Sequence, residues 1–285
     1  MSAPPAPSRT AGIPGRVVAL LAVLAVALAA AFVAAPRVLA SIGPGGGFAG
    51  RRDLVHALRE SFIGYWRSGD RDLSPGMDRV VEYWFRYHLA KAAIAALLLI
   101  VLVTLGARAW QAFLRAGSGG TAQRFALASA GVVVTMLALL SLLVVMANLQ
   151  GAVAPLSSLL PMLTDGATGT RLTGTLHQVR QGLARSPGTD GPPALHVMIS
   201  DFALYHVAMV VIAAIVAAVF IGISALLWKR FARREPSGRR ARRLLGSFAV
   251  LSALLSLAMI VLAVANTTVA VHPAPALLTF FQGGW

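Results

Sequence analysis

The sequence predicts an all-α integral membrane protein with five transmembrane helices, four of them forming two tandem-repeated helical hairpins in a four-helix bundle. Three observations carry this prediction. Of 285 residues, 57% are apolar and 12% charged, with a mean hydropathy of +0.74, against about 25% charged in a soluble domain. Five apolar runs approach or exceed the roughly 20 residues that a bilayer crossing needs. Sliding the chain by 118 residues lays residues 87–160 on 205–278 without a gap, and 25 of the 74 positions are identical. The first two observations exclude a soluble enzyme, a DNA-binding domain and a disordered chain.

Residues 1–40 hold an N-terminal segment and the first span, Val17–Ala35. A basic leader, an apolar run and Val38-Leu39-Ala40 before Ser41 also fit a signal peptide with a small-residue cleavage site. The run is 19 residues long and Arg37 follows it, whereas a signal's apolar region has about 7–15 residues. An uncleaved helix is therefore expected. Residues 41–86 form an amphipathic segment outside the membrane. It opens on the turn Gly43-Pro44-Gly45-Gly46-Gly47, and Leu54, Leu58, Phe62 and Trp66 then recur at helical spacing, as on a helix lying on the leaflet or the bundle. Ser74-Pro75 is a helix start, with Ser as cap and Pro at the first position. That helix should continue into the second span, Leu89–Ala109, with Glu82 and Arg86 as an i,i+4 pair.

Residues 87–160 are the first hairpin, whose return span is Phe125–Ala147. Residues 161–204 form a loop with a short helix near Leu172–Ala184 and a Pro/Gly stretch at 187–193. Residues 205–285 are the second hairpin, with spans Ala203–Trp228 and Leu244–Val264. Its uncharged tail, His272–Trp285, carries Phe280, Phe281 and Trp285 and is expected to fold back on the outer interface.

Scarce residues coincide between the copies. Tyr87-His88 falls on Tyr205-His206, Trp110 on Trp228, Arg115 on Arg233, Asn148 on Asn266 and Pro155 on Pro273. Each copy contains two spans, so both have one orientation and should be related by a pseudo-twofold along the membrane normal. His and Asn are then polar contacts at one end, together with Tyr87 and Tyr205. Trp110, Trp228, Arg115 and Arg233 anchor the other.

Charge orients the chain. Arg9 and Arg16, then Arg108, Arg115 and Arg124, then loop 229–243 with eight basic residues against Glu235, carry most of the net +15. The first connection mixes nine basic with six acidic residues, and the third is balanced. The positive-inside rule places the N-terminus in the cytoplasm and the C-terminus outside a cell membrane. Loop 229–243 should then meet anionic lipid headgroups rather than nucleic acid.

The chain has no cysteine, which excludes disulfides, iron–sulfur clusters and thiolate chemistry. All six histidines fall on the outer side in this topology. His88 and His206 could be symmetric ligands for haem or a metal, or interfacial residues bonded to an Asn or a carbonyl. The second reading is favoured, since no helix offers an i,i+4 pair of histidines. No Asp, Glu, Lys or Arg lies deep in a span, which argues against an ion-coupled transporter and leaves a permease component without its own coupling site as a further alternative.

Tyr83-Trp84-Phe85-Arg86-Tyr87-His88 and Met146-Ala147-Asn148-Leu149-Gln150-Gly151-Ala152-Val153-Ala154-Pro155 resemble phrases in uncharacterised multi-pass membrane proteins of actinomycetes. The resemblance spans mainly residues 60–160 and implies a membrane protein, with no activity and no site residue attached. The expected function is a non-enzymatic structural or accessory subunit, meeting a protein partner through its outer loops.

Overall fold

The structure is a computed structural model that describes residues 15–43, 45–116, 120–166, 169–185, 191–234 and 239–284. Among the described residues there are nine α-helices and no strand: α1 (Gly15–Ser41), α2 (Arg51–Ser68), α3 (Pro75–Arg115), α4 (Thr121–Val153), α5 (Pro155–Thr164), α6 (Thr170–Arg185), α7 (Pro193–Ala232), α8 (Arg239–Val271) and α9 (Pro273–Phe281). Pro44, Glu235 and Trp285 lie outside them, as does much of the 187–193 stretch.

Helices α1, α3, α4, α7 and α8 are long and apolar enough to cross a membrane, consistent with an integral multi-pass protein. Each contains one expected span and overruns it. Apolar composition marks only the lipid-facing stretch, while the helix continues until a start or stop signal intervenes. For α3 that signal is Pro75 at the first position after Ser74. The amphipathic turns from Pro75 are thus one helix with the second span, and Arg86 reaches Glu82 at 2.9 Å. Helix α1 likewise continues through Arg37 and Val38-Leu39-Ala40, ending where the Ser41 hydroxyl donates to the Arg37 carbonyl.

Helices α3 and α4 pack as one hairpin and α7 and α8 as another; α4 also packs along α7, and α1 along α3. Met146 of α4, Met209, Ala213 and Ala217 of α7 and Met259 of α8 form a small core where the hairpins meet. Small residues set the close approaches. Ser141 donates to the Ala95 carbonyl at 2.9 Å, and Ser224 to the Ala249 carbonyl at 3.0 Å, as helices in lipid do when backbones come near. Large side chains such as Leu20, Val26, Ile100, Leu140, Ile215 and Leu257 are exposed on the flanks, a surface suited to lipid rather than water.

The largest core lies beyond the spans. Helices α2, α5, α6 and α9 cover the first turns of α3 and α7, burying Leu58, Phe62, Tyr65, Met77, Leu159, Leu163, Val179, Leu195, Leu277 and Phe281. We call this layer the cap and the opposite end of the bundle the arginine end. Helix α2 therefore lies on the bundle, and α9 folds the tail back onto α6 and α7. Polar bonds stitch the layer together. The Trp66 indole donates to Gln178 Oε1 at 2.9 Å, and Trp84 to Ser158 Oγ at 2.8 Å. Asp201 of α7 accepts from both the backbone N–H and the hydroxyl of Ser157, at 2.7 and 2.6 Å. It thereby supplies a carboxylate to the otherwise uncapped N-terminus of α5.

The helix starts keep the sequence offset. Helices α3 and α5 begin at Pro75 and Pro155; α7 and α9 begin 118 residues later, at Pro193 and Pro273. Under the same shift Leu54 and Leu58 of α2 fall on Leu172 and Leu176 of α6, and all four are buried.

Because the cap is packed against water and the bundle flanks are not, Leu58→Ala should lower stability by about 2–5 kcal/mol. Leu140→Ala, at a 57% exposed position, should leave it within about 0.5 kcal/mol. Thermal unfolding in mild detergent compares the two, and equal losses would contradict this division.

Candidate functional site

The histidine layer lies at the junction of spans and cap. In the second hairpin His206 Nδ1 donates to Asn266 Oδ1 at 2.9 Å, and Asn266 Nδ2 donates to the Leu262 carbonyl. In the first, Asn148 Nδ2 makes the same bond to the Val144 carbonyl, but His88 Nδ1 donates to the Trp84 carbonyl of its own helix at 3.0 Å. The difference has a local cause. Gly151 has no Cβ, and one built there would strike the His88 ring, so the ring packs directly on the α4 backbone. The matching position in the second copy is Val269. His88 Nε2 faces that backbone, also within reach of the missing Cβ. The ring geometry is otherwise repeated: Trp84–His88 and Phe202–His206 are edge contacts at 4.6 and 4.7 Å. Tyr87 stacks on Trp84, and Tyr205 lies edge-on to His206 while its carbonyl accepts from Gln150. These hydrogen bonds place each histidine within its own hairpin. Among the described residues there is no group of three or more His, Asp or Glu able to hold a metal ion.

At the arginine end Trp110 donates to Thr135 Oγ1 at 3.1 Å and meets Phe248 of α8 edge-on at 5.4 Å. Trp228 is 45% exposed and makes an edge contact with Phe231, as Trp110 does with Phe113. Arg115 and Arg233 are exposed. Arg240 crosses from α8 to donate to the Ala116 carbonyl and lies over Phe113, and Arg242 lies over Phe231.

One cavity was not anticipated from the sequence. It is an open cleft of about 820 Å³ in the cap, between the starts of α2 and α6 and the end of α5, lined by Arg51, Arg52, His56 and Arg59 from α2 and Arg171 from α6. Arg59 is held by the carbonyls of Met162 and Asp165. Arg51 lies 3.7 Å from Asp165, and Arg171 lies 3.5 Å from Glu60. Four guanidinium groups outnumber two carboxylates, and the first turns of two helices, with their free N–H groups, border the same space. Such a surface suits an anion. Behind it in α2, Tyr65 is buried and donates to the Arg71 carbonyl; burial first, then Asp72 and Asp70, push its phenol up from the ordinary value. A sequence signal existed in part, because Arg51, Arg52 and Arg59 recur at spacings that share a helix face. Arg171 is over a hundred residues away and only the fold brings it there.

No protein-family model, curated protein or solved structure matches the chain.

The contact between His88 and Gly151 makes a reversible prediction. Gly151→Ala should cost about 1–3 kcal/mol by overpacking, whereas His88→Ala, which gives up a hydrogen bond within its own helix, should cost about 0.5–1.5 kcal/mol. The double variant should recover most of the Gly151→Ala loss in detergent melts. Additive losses would show that the ring is not what the new methyl strikes.

Proposed function

We propose that this chain is a non-catalytic accessory subunit of the cell membrane whose cap receives an acidic partner from outside. The observation that carries the reading is the cleft. Among the described residues the larger apolar core and a cavity of about 820 Å³ both lie in the cap, and that cavity is lined with arginine rather than with a catalytic set. Electrostatic complementarity of this kind selects partners and speeds encounter.

The topology belongs to the same reading. Arg-rich segments 108–124 and 229–243 face the cytoplasm, where anionic headgroups favour them, and the C-terminus lies outside with the cap. The bundle is taken as two copies of a four-helix unit, α2–α5 and α6–α9, preceded by α1. The shared helix starts support the duplication. The packing of α4 on α7 and the Trp110–Phe248 contact support a four-helix bundle.

Two experiments test this. A reporter fused after Arg234 should be cytoplasmic and one fused after Gly191 external; the opposite result removes the cap from the outside. Purification in mild detergent should retain a second chain at fixed stoichiometry, lost from an Arg51→Glu/Arg52→Glu variant that keeps its own elution volume. A chain that runs alone under several conditions, or a second chain indifferent to the variant, would defeat the subunit role.

A further inference from the structure

Helix α1 belongs to neither repeat, yet it occupies a place the repeat defines. In the second copy Met209, Ala213, Val216 and Phe220 of α7 and Met259 and Leu262 of α8 enclose Leu142 and Met146, contributed by α4. The matching positions in the first copy are Lys91, Ala95, Leu98, Leu102, Ser141 and Val144, and there α1 lies where α4 lies in the second. Where α4 offers leucine and methionine, α1 offers Ala25, Val26 and Ala29. The space is not filled. An apolar groove of about 360 Å³ remains, lined by Ala25, Ala29 and Phe32 of α1 and by residues of α3 and α4 that include Ala95, Leu98 and Leu140. This volume falls within the ordinary range of ligand pockets, about 300–1,000 Å³.

The cap-side end of the groove is charged. Lys91 Nζ lies 4.5 Å from the centre of the Phe32 ring and 5.2 Å from that of Tyr87. Phe32 lines the groove, while Tyr87 lines a second space of about 390 Å³ with Arg37 and Arg51. Depth agrees with this division. Lys91 is 19 residues before Trp110, or about 28 Å along the helix, and a bilayer's hydrocarbon is about 30 Å thick. With Trp110 at one interface, the groove lies in the cap-side half of the hydrocarbon and Lys91 at its boundary, where lipid phosphates begin.

We infer that the groove between α1, α3 and α4 binds one anionic phospholipid of the cap-side leaflet, an acyl chain filling the space beside Ala25 and Ala29 and the phosphate meeting Lys91 and Arg37. The charge at its mouth selects an anionic headgroup over a zwitterionic one. The small residues of α1 leave the room that α4's larger residues occupy in the second copy.

Native mass spectrometry of delipidated protein, with phosphatidylglycerol and phosphatidylcholine of matched chains, tests this. The protein should retain phosphatidylglycerol several-fold over phosphatidylcholine. Lys91→Gln should bring the ratio close to one, and Lys91→Arg should keep it. Ala29→Leu, which fills the groove, should lower phosphatidylglycerol retention, and glycerol phosphate, which has no chains, should not compete. Equal retention of the two lipids by the unaltered protein overturns the inference. So does an unchanged preference in Lys91→Gln, or competition by glycerol phosphate. If Lys91→Gln fails to fold, the lipid ratio of the unaltered protein and the Ala29→Leu variant still decide.

Discussion

Helices α3 and α7 are 41 and 40 residues long, about 60 Å each, while the hydrocarbon of a bilayer is about 30 Å thick. In the proposed topology Trp110 and Trp228, near their C-terminal ends, mark one interface, and the helices overhang the membrane at the cap by several turns. Those turns are apolar along one face. Met77, Val80 and Tyr83 of α3, and Leu195, Met198 and Phe202 of α7, need cover in water. Helices α2, α5, α6 and α9 provide it. The molecule is thus held together in two ways along one pair of helices. In the cap, water drives apolar burial; between the spans lipid offers no such drive, and close approach through residues such as Ala95, Gly131, Ser141 and Ser224 takes its place.

On the proposed duplication, repetition supplies the plan, and its exceptions supply the specialised features. Position 83 is a buried tyrosine in the first copy; its counterpart, Asp201, caps α5 and so ties the second copy to the first. Gly151 lets His88 lie on the α4 backbone, whereas Val269 holds the matching place beside a histidine that bonds Asn266 instead. Phe62 is fully buried in α2, but its counterpart in α6 is Arg180. The pseudo-twofold expected for two equivalent hairpins is likewise interrupted. It would lay α8 along α3 as α4 lies along α7, but α1 holds that flank and α8 touches α3 at the arginine end through Trp110, Phe248 and Arg240.

The five spans and the start of α3 at Pro75 were legible because hydropathy and proline are local signals. Helix ends were less so, since apolar composition reports lipid contact and stops before the helix does. The match of α2 to α6 was hidden by divergence: Leu54, Leu58, Gly64 and Arg67 are among the few positions that persist, in Leu172, Leu176, Gly182 and Arg185. The arginine cleft could be read only in its α2 half, because Arg171 joins it from α6 across the whole first hairpin. An Asn or a carbonyl was legible as the partner of each histidine, but not which of the two each would take. Which acceptor a histidine takes depends on whether the opposite residue is glycine or valine.

Position 91 shows how α1 changes what one copy can do. In α7 the equivalent Met209 is 9% exposed and packed among α4 and α8, where an ammonium group would be costly. In α3 the same face meets a helix of small residues near the membrane boundary, with Phe32 and Tyr87 presenting their ring faces. There an ammonium is tolerated through cation–π contact and access to headgroups. One helix outside the duplication is therefore enough to turn a closed apolar seam into an open groove with a cation at its mouth. The two copies can share their helix starts and their His and Asn positions and still present different surfaces to the bilayer.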